Sequence, residues 1–365
     1  MQEDVEEIEM NVQMNLSKAL KAKPVDESKL GFGRLFTDHM LMINYTEGKG
    51  WHDARIEPYG NISLDPACQV LHYGQEIFEG LKCYRTPKGE FNLFRPRANF
   101  ERMARSAERM GMAPLPVEDG LETLMALLNV EKEWTPHQEG TSLYIRPTMI
   151  ALDSHLGVST SSTYLYYVIL SPSGAYYASG LAPVGIYVED SYVRAVRGGI
   201  GFAKTGGNYA ASILAGMNAK HVGYAQVLWL DGVEQRYIEE VGAMNMMFVY
   251  EDRKIVTPAL NGSILPGITR DSVLKLGKHM GLETEEARMD IHDVIADIKA
   301  GKVTEAFGTG TAAVVSPVNK ICFKGEEIGI GDGGIGHITQ ELYDTLTGIQ
   351  FGKTDDPMGW VVKVK

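Results

Sequence analysis

The chain has 365 residues, 44% of them hydrophobic, enough for a large core divided between two domains. A formal net charge of -12 speaks against nucleic acid and anionic membrane surfaces as partners. No apolar run reaches the roughly 18 residues of a membrane helix, and the acidic start MQEDVEEIEM carries no export or transit pattern, so a cytoplasmic protein is expected.

The first thirty residues are charged and weakly patterned and read as a loose arm. From GRLFTDHMLMINY onward strand-like stretches alternate with the turns GKGW and EPYGN. In ANFERMARSAERM the residues Phe100, Met103, Ala104, Ala107 and Met110 fall on one helical face. On that period Arg102 lies opposite the stripe, as a solvated helix residue. LETLMALLNVEKEW follows as a second helix, then SLYIRPTMIAL and STYLYYVILSP as strands rich in β-branched and aromatic residues. The stretch SPSGAYYASGLAP, rich in small residues and proline, marks a connection over residues 173–183 between a domain 1–172 and a domain 184–365. Downstream, VGIYVED, AQVLWLDG and MMFVYEDRKIVTP read as strands. GNYAASILAGMNAKHVG, GITRDSVLKLGKHMG and HITQELYDTLTGI read as helices, and GIGDGGIG as a loop. The mixture is α/β or α+β.

Cys68, Cys83 and Cys322 are odd in number and scattered, which suits free thiols in a reducing compartment. The nine histidines show no metal-ligand spacing, so no metal is expected. The informative stretch is GFAKTGGNYAAS, where Lys204 sits between apolar Phe202-Ala203 and a glycine turn that opens a helix. GGNYAAS, LPGITRDS and GTGTAAV are glycine-containing turns beside structured segments, and such turns offer backbone N–H groups to anions. A dinucleotide fingerprint fails, because GGIGFAKTGG places Lys204 where a third glycine is required, and the Walker A spacing fails too. A lysine near anion-binding turns suggests pyridoxal 5′-phosphate, whose aldehyde condenses with a lysine amine and whose ring nitrogen needs a carboxylate. IEEVGAMN offers Glu239 and Glu240 for that carboxylate.

LHYGQEIFEGLKCYR, NFERMARSA, SLYIRP, AKTGGNYAAS, EEVGAMN, LPGITR and GTGTAAVVSPV occur in this order between residues 71 and 318. Together they closely resemble the branched-chain amino acid aminotransferases, which are class IV, fold-type IV pyridoxal phosphate enzymes. The resemblance covers roughly residues 30 to 360. It implies a smaller α/β domain, a larger pseudo-barrel domain, and a homodimer. It makes Lys204 the covalent attachment point and the base that moves a proton between the substrate Cα and the cofactor's C4′. Tyr209 corresponds to the hydroxyl on the cofactor's phenolic oxygen. Glu240, five residues before Asn245, corresponds to the carboxylate facing the ring nitrogen, and Glu239 does not match.

For the phosphate the resemblance implies Arg102, the N–H groups of Ile268 and Thr269 with the Thr269 hydroxyl, and Thr309, with Arg194 as a further neighbour. For the substrate it implies Phe36, Tyr73, Phe78, Tyr144 and Tyr176 around the side chain, Thr311 and Ala312 at the α-carboxylate, and Arg146 organising the tyrosine hydroxyls. Animal members carry a CxxC after GTA, whereas Ala313 and Ser316 stand here, so no thiol switch operates at that place. YIRP with FTDHM and GTGTAA disfavours a D-amino acid transaminase or an aminodeoxychorismate lyase. Retention of both Lys204 and Glu240 argues against a cofactor carrier without turnover. The implied reaction is amino transfer between leucine, isoleucine or valine and 2-oxoglutarate.

Overall fold

The structure is a computed structural model, and residues 10–174, 181–251 and 253–365 are described. The chain divides into two compact units, Met1–Gly174 with Trp360–Lys365, and Ala175–Gly359.

The first unit begins with β1 (Gln13–Met14), β2 (His39–Thr46), β3 (Gly50–Pro58) and the short helix α1 (Gln69–Tyr73). It continues with β4 (Glu76–Phe78), β5 (Leu81–Arg85), β6 (Phe91–Phe94), helices α2 (Pro96–Arg109) and α3 (Val117–Glu131), β7 (Ser142–Ala151) and β8 (Thr163–Ser173). Its strands run β1-β3-β2-β8-β7-β5-β6 in one sheet, with β4 paired to β7. Phe100, Met103 and Ala107 of α2 join Leu124, Leu127 and Leu128 of α3 in the core against that sheet. Burying each large apolar side chain contributes about 1.5–3 kcal/mol.

Part of the arm expected over the first thirty residues is tied to the sheet. Gln13 and Met14 pair in parallel with Arg55 and Ile56, and the Lys21 N–H donates to Asp38 Oδ1 at 2.7 Å. A charged segment is fastened here by backbone hydrogen bonds, which hydropathy does not register.

The second unit holds β9 (Val184–Glu189), α4 (Gly206–Ala210), α5 (Ile213–His221), β10 (Gln226–Leu230), β11 (Ile238–Val241), β12 (Met244–Tyr250) and β13 (Lys254–Pro258). Then come α6 (Ile268–His279), β14 (Glu283–Ala287), α7 (Ile291–Lys299), β15 (Val303–Gly310), β16 (Val314–Phe323), β17 (Glu326–Gly329) and α8 (His337–Gln350). The pairing β11-β10-β9-β16-β15-β12, closed by β11 with β12, makes a six-stranded barrel. Val294, Ile295 and Ile298 of α7 pack into the apolar cluster formed by the barrel's Ile186, Leu228, Met246 and Phe248. The fold is thus mixed α/β with a barrel-bearing larger unit, as expected.

Three details differ from the sequence reading. MMFVYEDRKIVTP is a hairpin, β12 with β13, rather than one strand. GNYAASILAGMNAKHVG is two helices, because both the N–H and the Oγ of Ser212 bond the Tyr209 carbonyl, at 3.1 and 2.7 Å, and stop α4. The last strand, β18 (Val361–Val364), pairs with β6 of the first unit, so residues 360–365 do not belong to the domain 184–365 expected for them. No helix among the described residues is long and apolar enough to cross a membrane.

Candidate active site

Lys204 lies in an extended segment two residues before α4, half-buried, next to fully buried Ala203 and Thr205. The Asn208 side chain donates to the carbonyls of Ile200 at 2.9 Å and Ala203 at 2.8 Å, clamping the preceding turn against α4. A Cβ at Gly201 would stand 2.1 Å from the Ser263 carbonyl oxygen, so only glycine lets the chain pass there. The Lys204 ammonium donates to Tyr209 Oη at 2.8 Å. Lysine and tyrosine are five apart and meet because the glycine turn folds the chain back.

Glu240 sits on β11, only 3% exposed. Oε1 accepts the Leu265 N–H at 2.7 Å, and Oε2 lies 3.3 Å from Arg194 Nε. Burial pushes its carboxyl above the usual range, while Arg194, the Leu265 N–H and Lys204 pull the other way. Burial outweighs them, although Arg194 is paired with the carboxylate. Arg194 Nη2 also donates to the Ser263 carbonyl.

Glu240 pairs with Asn245 across β11 and β12, and Asn245 with Thr309 across β12 and β15. Direct cross-strand partners project from one face, so these three side chains share it. The Thr309 Oγ1 is buried with no hydrogen-bond partner. Gly267, the N-cap of α6, has no side chain to offer, so Ile268 and Thr269 occupy the positive first turn of a twelve-residue helix. Thr311 and Ala312 lie in the turn joining β15 to β16, and Val314 closes that turn at φ +62°, in the left-handed region. Lys204, Tyr209, Glu240, Arg194, Ile268, Thr269, Thr309, Thr311 and Ala312 therefore all belong to the second unit.

The remaining site residues belong to the first unit. Arg102 is not a solvated helix residue: it is 3% exposed. Its Nε and Nη2 donate to Glu79 Oε1 and Oε2 at 2.7 and 2.9 Å. Asn99, Arg102 and Ser106 form a buried polar stripe beside the apolar one, which hydropathy periodicity alone reads as surface. Glu79, 1% exposed and also bonded by Asn99 Nδ2 at 2.8 Å, is a residue the sequence reading missed.

On β7, Arg146 Nη2 donates to Tyr144 Oη at 3.1 Å, and the guanidinium lies 4.7 Å from the Phe78 ring centre. A Cβ at Gly80 would strike Tyr144 Oη at 2.1 Å, so Gly80 admits the tyrosine. Phe78, Tyr144 and Arg146 thus form one cluster. Phe36 stacks on Tyr59 at 4.9 Å, and the half-exposed Tyr73 donates its hydroxyl to the Leu156 carbonyl. Tyr176 lies outside the described residues.

The sequence profile of amino-transferase class IV matches residues 76–321. The chain is 54% identical to the probable branched-chain-amino-acid aminotransferase of Staphylococcus aureus (strain MRSA252), covering 97% of this chain and 98% of that protein. It is 53% identical to branched-chain-amino-acid transaminase 1 of Bacillus subtilis (strain 168), over 94% of this chain and 96% of that one. Among solved structures, the Escherichia coli branched-chain amino acid aminotransferase aligns at TM-score 0.75 and 29% identity, over 90% of this chain and 99% of its own. The T.th. branched-chain amino acid aminotransferase with pyridoxamine 5′-phosphate aligns at TM-score 0.73 and 27% identity, over 88% of this chain and 98% of its own. With lysine, tyrosine and buried carboxylate all in the barrel-bearing unit, this chain belongs to the class IV aminotransferases, among the branched-chain amino acid aminotransferases.

Proposed function

We propose that the chain catalyses reversible amino transfer between leucine, isoleucine or valine and 2-oxoglutarate, with pyridoxal 5′-phosphate as cofactor. The observation that carries this reading is the Lys204–Tyr209 pair on the same barrel unit as the buried Glu240–Arg194 pair. The donor set fits the cofactor. A buried carboxylate whose proton affinity is raised wants a cation, and a protonated ring nitrogen is one. A helix N-terminus whose glycine N-cap brings no side chain and the orphaned Thr309 hydroxyl suit a phosphate.

When bound, pyridoxal phosphate supplies an aldehyde for amino exchange and a ring that accepts the electron pair left at the substrate's α-carbon. The chain does the rest. Lys204 Nζ takes the proton from the substrate Cα and returns it, and the Tyr209 hydroxyl orients that amine. Glu240 holds the ring nitrogen protonated. The first turn of α6 with Thr269 and Thr309 would hold the phosphate, a task for which the resemblance also names Arg102, fixed by Glu79 within the first unit. The Thr311–Ala312 turn binds the α-carboxylate.

Phe78, Tyr144 and Arg146 receive the side chain, and the resemblance adds Phe36 and Tyr73. Aromatic carbon accepts an aliphatic side chain by burial, while Arg146 and the tyrosine hydroxyl accept glutamate's carboxylate. Ile213, Leu214 and Met217 leave α5 with an apolar exposed face, which supports a second copy of the chain as partner. The test is a coupled assay of amino donors against 2-oxoglutarate beside an absorption spectrum for bound cofactor. Turnover of leucine, isoleucine and valine well above alanine and aspartate is the expected result. A colourless protein without turnover contradicts it.

A further inference from the structure

On β11 successive side chains alternate between faces, so Glu239 points away from the face that carries Glu240. There it lines a cavity of about 380 Å³, bounded by Pro258, Ile264 and Ala287 and by the acidic Asp231 and Glu234. Glu239 is 2% exposed. Its Oε1 accepts from Asn261 Nδ2 at 3.0 Å and from the Ser263 hydroxyl, whereas Oε2 has no hydrogen-bond partner. No lysine or arginine among the described residues forms an ion pair with it. A buried carboxylate oxygen with no donor is an unmet polar contact.

The cavity's two arginines differ in their commitments. Arg288 is bound to Glu234 at 2.6 Å and lies over the Tyr237 ring, 3.4 Å from its centre. Arg197 is exposed and makes no ion pair among the described residues. A bare metal ion does not suit the place, since no group of three or more ligating side chains occurs among the described residues. The volume lies near the low end of the roughly 300–1,000 Å³ of small-molecule sites, right for one molecule of modest size.

We propose that this cavity is a second ligand site that takes one small zwitterion of the α-amino acid class. The ligand's ammonium meets Glu239 Oε2, its carboxylate meets Arg197, and an apolar side chain lies against Pro258, Ile264 and Ala287. Occupancy reaches the catalytic side by two short links. The Ser263 hydroxyl bonds Glu239 while its carbonyl takes Arg194 Nη2. The charge on Glu239 is also one of the causes that raise Glu240, and an ammonium on Glu239 offsets it.

The test is calorimetric titration of L-leucine into borohydride-treated holoenzyme, in which the Lys204 amine is fixed to reduced cofactor. Loss of the visible absorbance on reduction reports on the transaminase reading separately from this one. The expected result is saturable binding of one leucine per chain, weakened at least about tenfold by Glu239→Gln and by Arg197→Met, as loss of a charged contact requires. Leucinamide, which lacks the carboxylate, and 4-methylvalerate, which lacks the ammonium, bind more weakly than leucine by a similar factor. Absence of saturable binding to the wild type overturns the proposal. So does an unchanged Kd in Arg197→Met, an exposed position whose substitution leaves the core intact, or leucinamide binding as tightly as leucine.

Discussion

Arg146→Met isolates what the pocket uses to accept two unlike side chains. In the structure the Arg146 guanidinium bonds Tyr144 Oη at 3.1 Å and covers the Phe78 ring at 4.7 Å. Methionine keeps most of the stem that packs on those rings and removes the five donors. A hydrogen bond to a charged group contributes about 1.5–3 kcal/mol, so the glutamate half-reaction loses about 10- to 150-fold in kcat/KM. Leucine makes no ionic contact with the guanidinium, and its half-reaction changes by less than about threefold, the scale of a lost cation–π contact. The assay is single turnover of each donor, followed by the absorbance of the bound cofactor, because a steady-state leucine assay also reports the 2-oxoglutarate half. A melting temperature within about 2 °C of wild type keeps the comparison clean. Equal losses for glutamate and leucine would refute the reasoning.

Glu79→Ala strips Arg102 of its buried carboxylate and costs about 3–5 kcal/mol, read as a fall of about 10 °C in Tm. Arg102→Met added to it restores part of the loss, and a single variant that melts within about 2 °C of wild type contradicts the pairing. Burial raises the Asp153 carboxyl, but bonds from the Ser162 and Thr163 N–H and hydroxyl groups outweigh it and lower the pKa to about 2. Its folded value lies below its unfolded one, so its stabilisation is present above about pH 4 and is lost as the pH falls towards 2. After solvent screening, Asp153→Asn loses about 1–2 kcal/mol at pH 7 and matches wild type near pH 2 in urea titrations. Mild peroxide leaves activity within about twofold: all three cysteines are buried, and burial pushes Cys83 up to about 12 against the opposing pull of Thr135, Arg85 and Lys132. Inactivation that a dithiol reverses counts against this.

The larger unit was more legible than the smaller one. Its strands are continuous apolar runs with glycine turns between them, and Lys204, Tyr209 and Glu240 sit in motifs whose chemistry can be read locally. Arg102 shows the limit. Its face of α2 is polar yet buried, because Glu79 arrives from another part of the chain, and hydropathy cannot distinguish a paired cation from a solvated one. The place of Glu79 and of Ser263 depends on long-range contact and had no local signal. The same holds for β18, a short C-terminal strand whose partner, β6, lies far earlier in the chain. The helix α7 does carry a local signal: Asp290 caps it by accepting the His292 N–H at 2.9 Å.

The central claim rests on one amine. Purified Lys204→Ala, assayed with leucine and 2-oxoglutarate and scanned for cofactor absorbance, tests it most directly. The account predicts a loss of at least about a thousandfold in kcat with the fold retained by circular dichroism, since nucleophile and proton carrier go together. Turnover near the wild-type rate in that variant would contradict it.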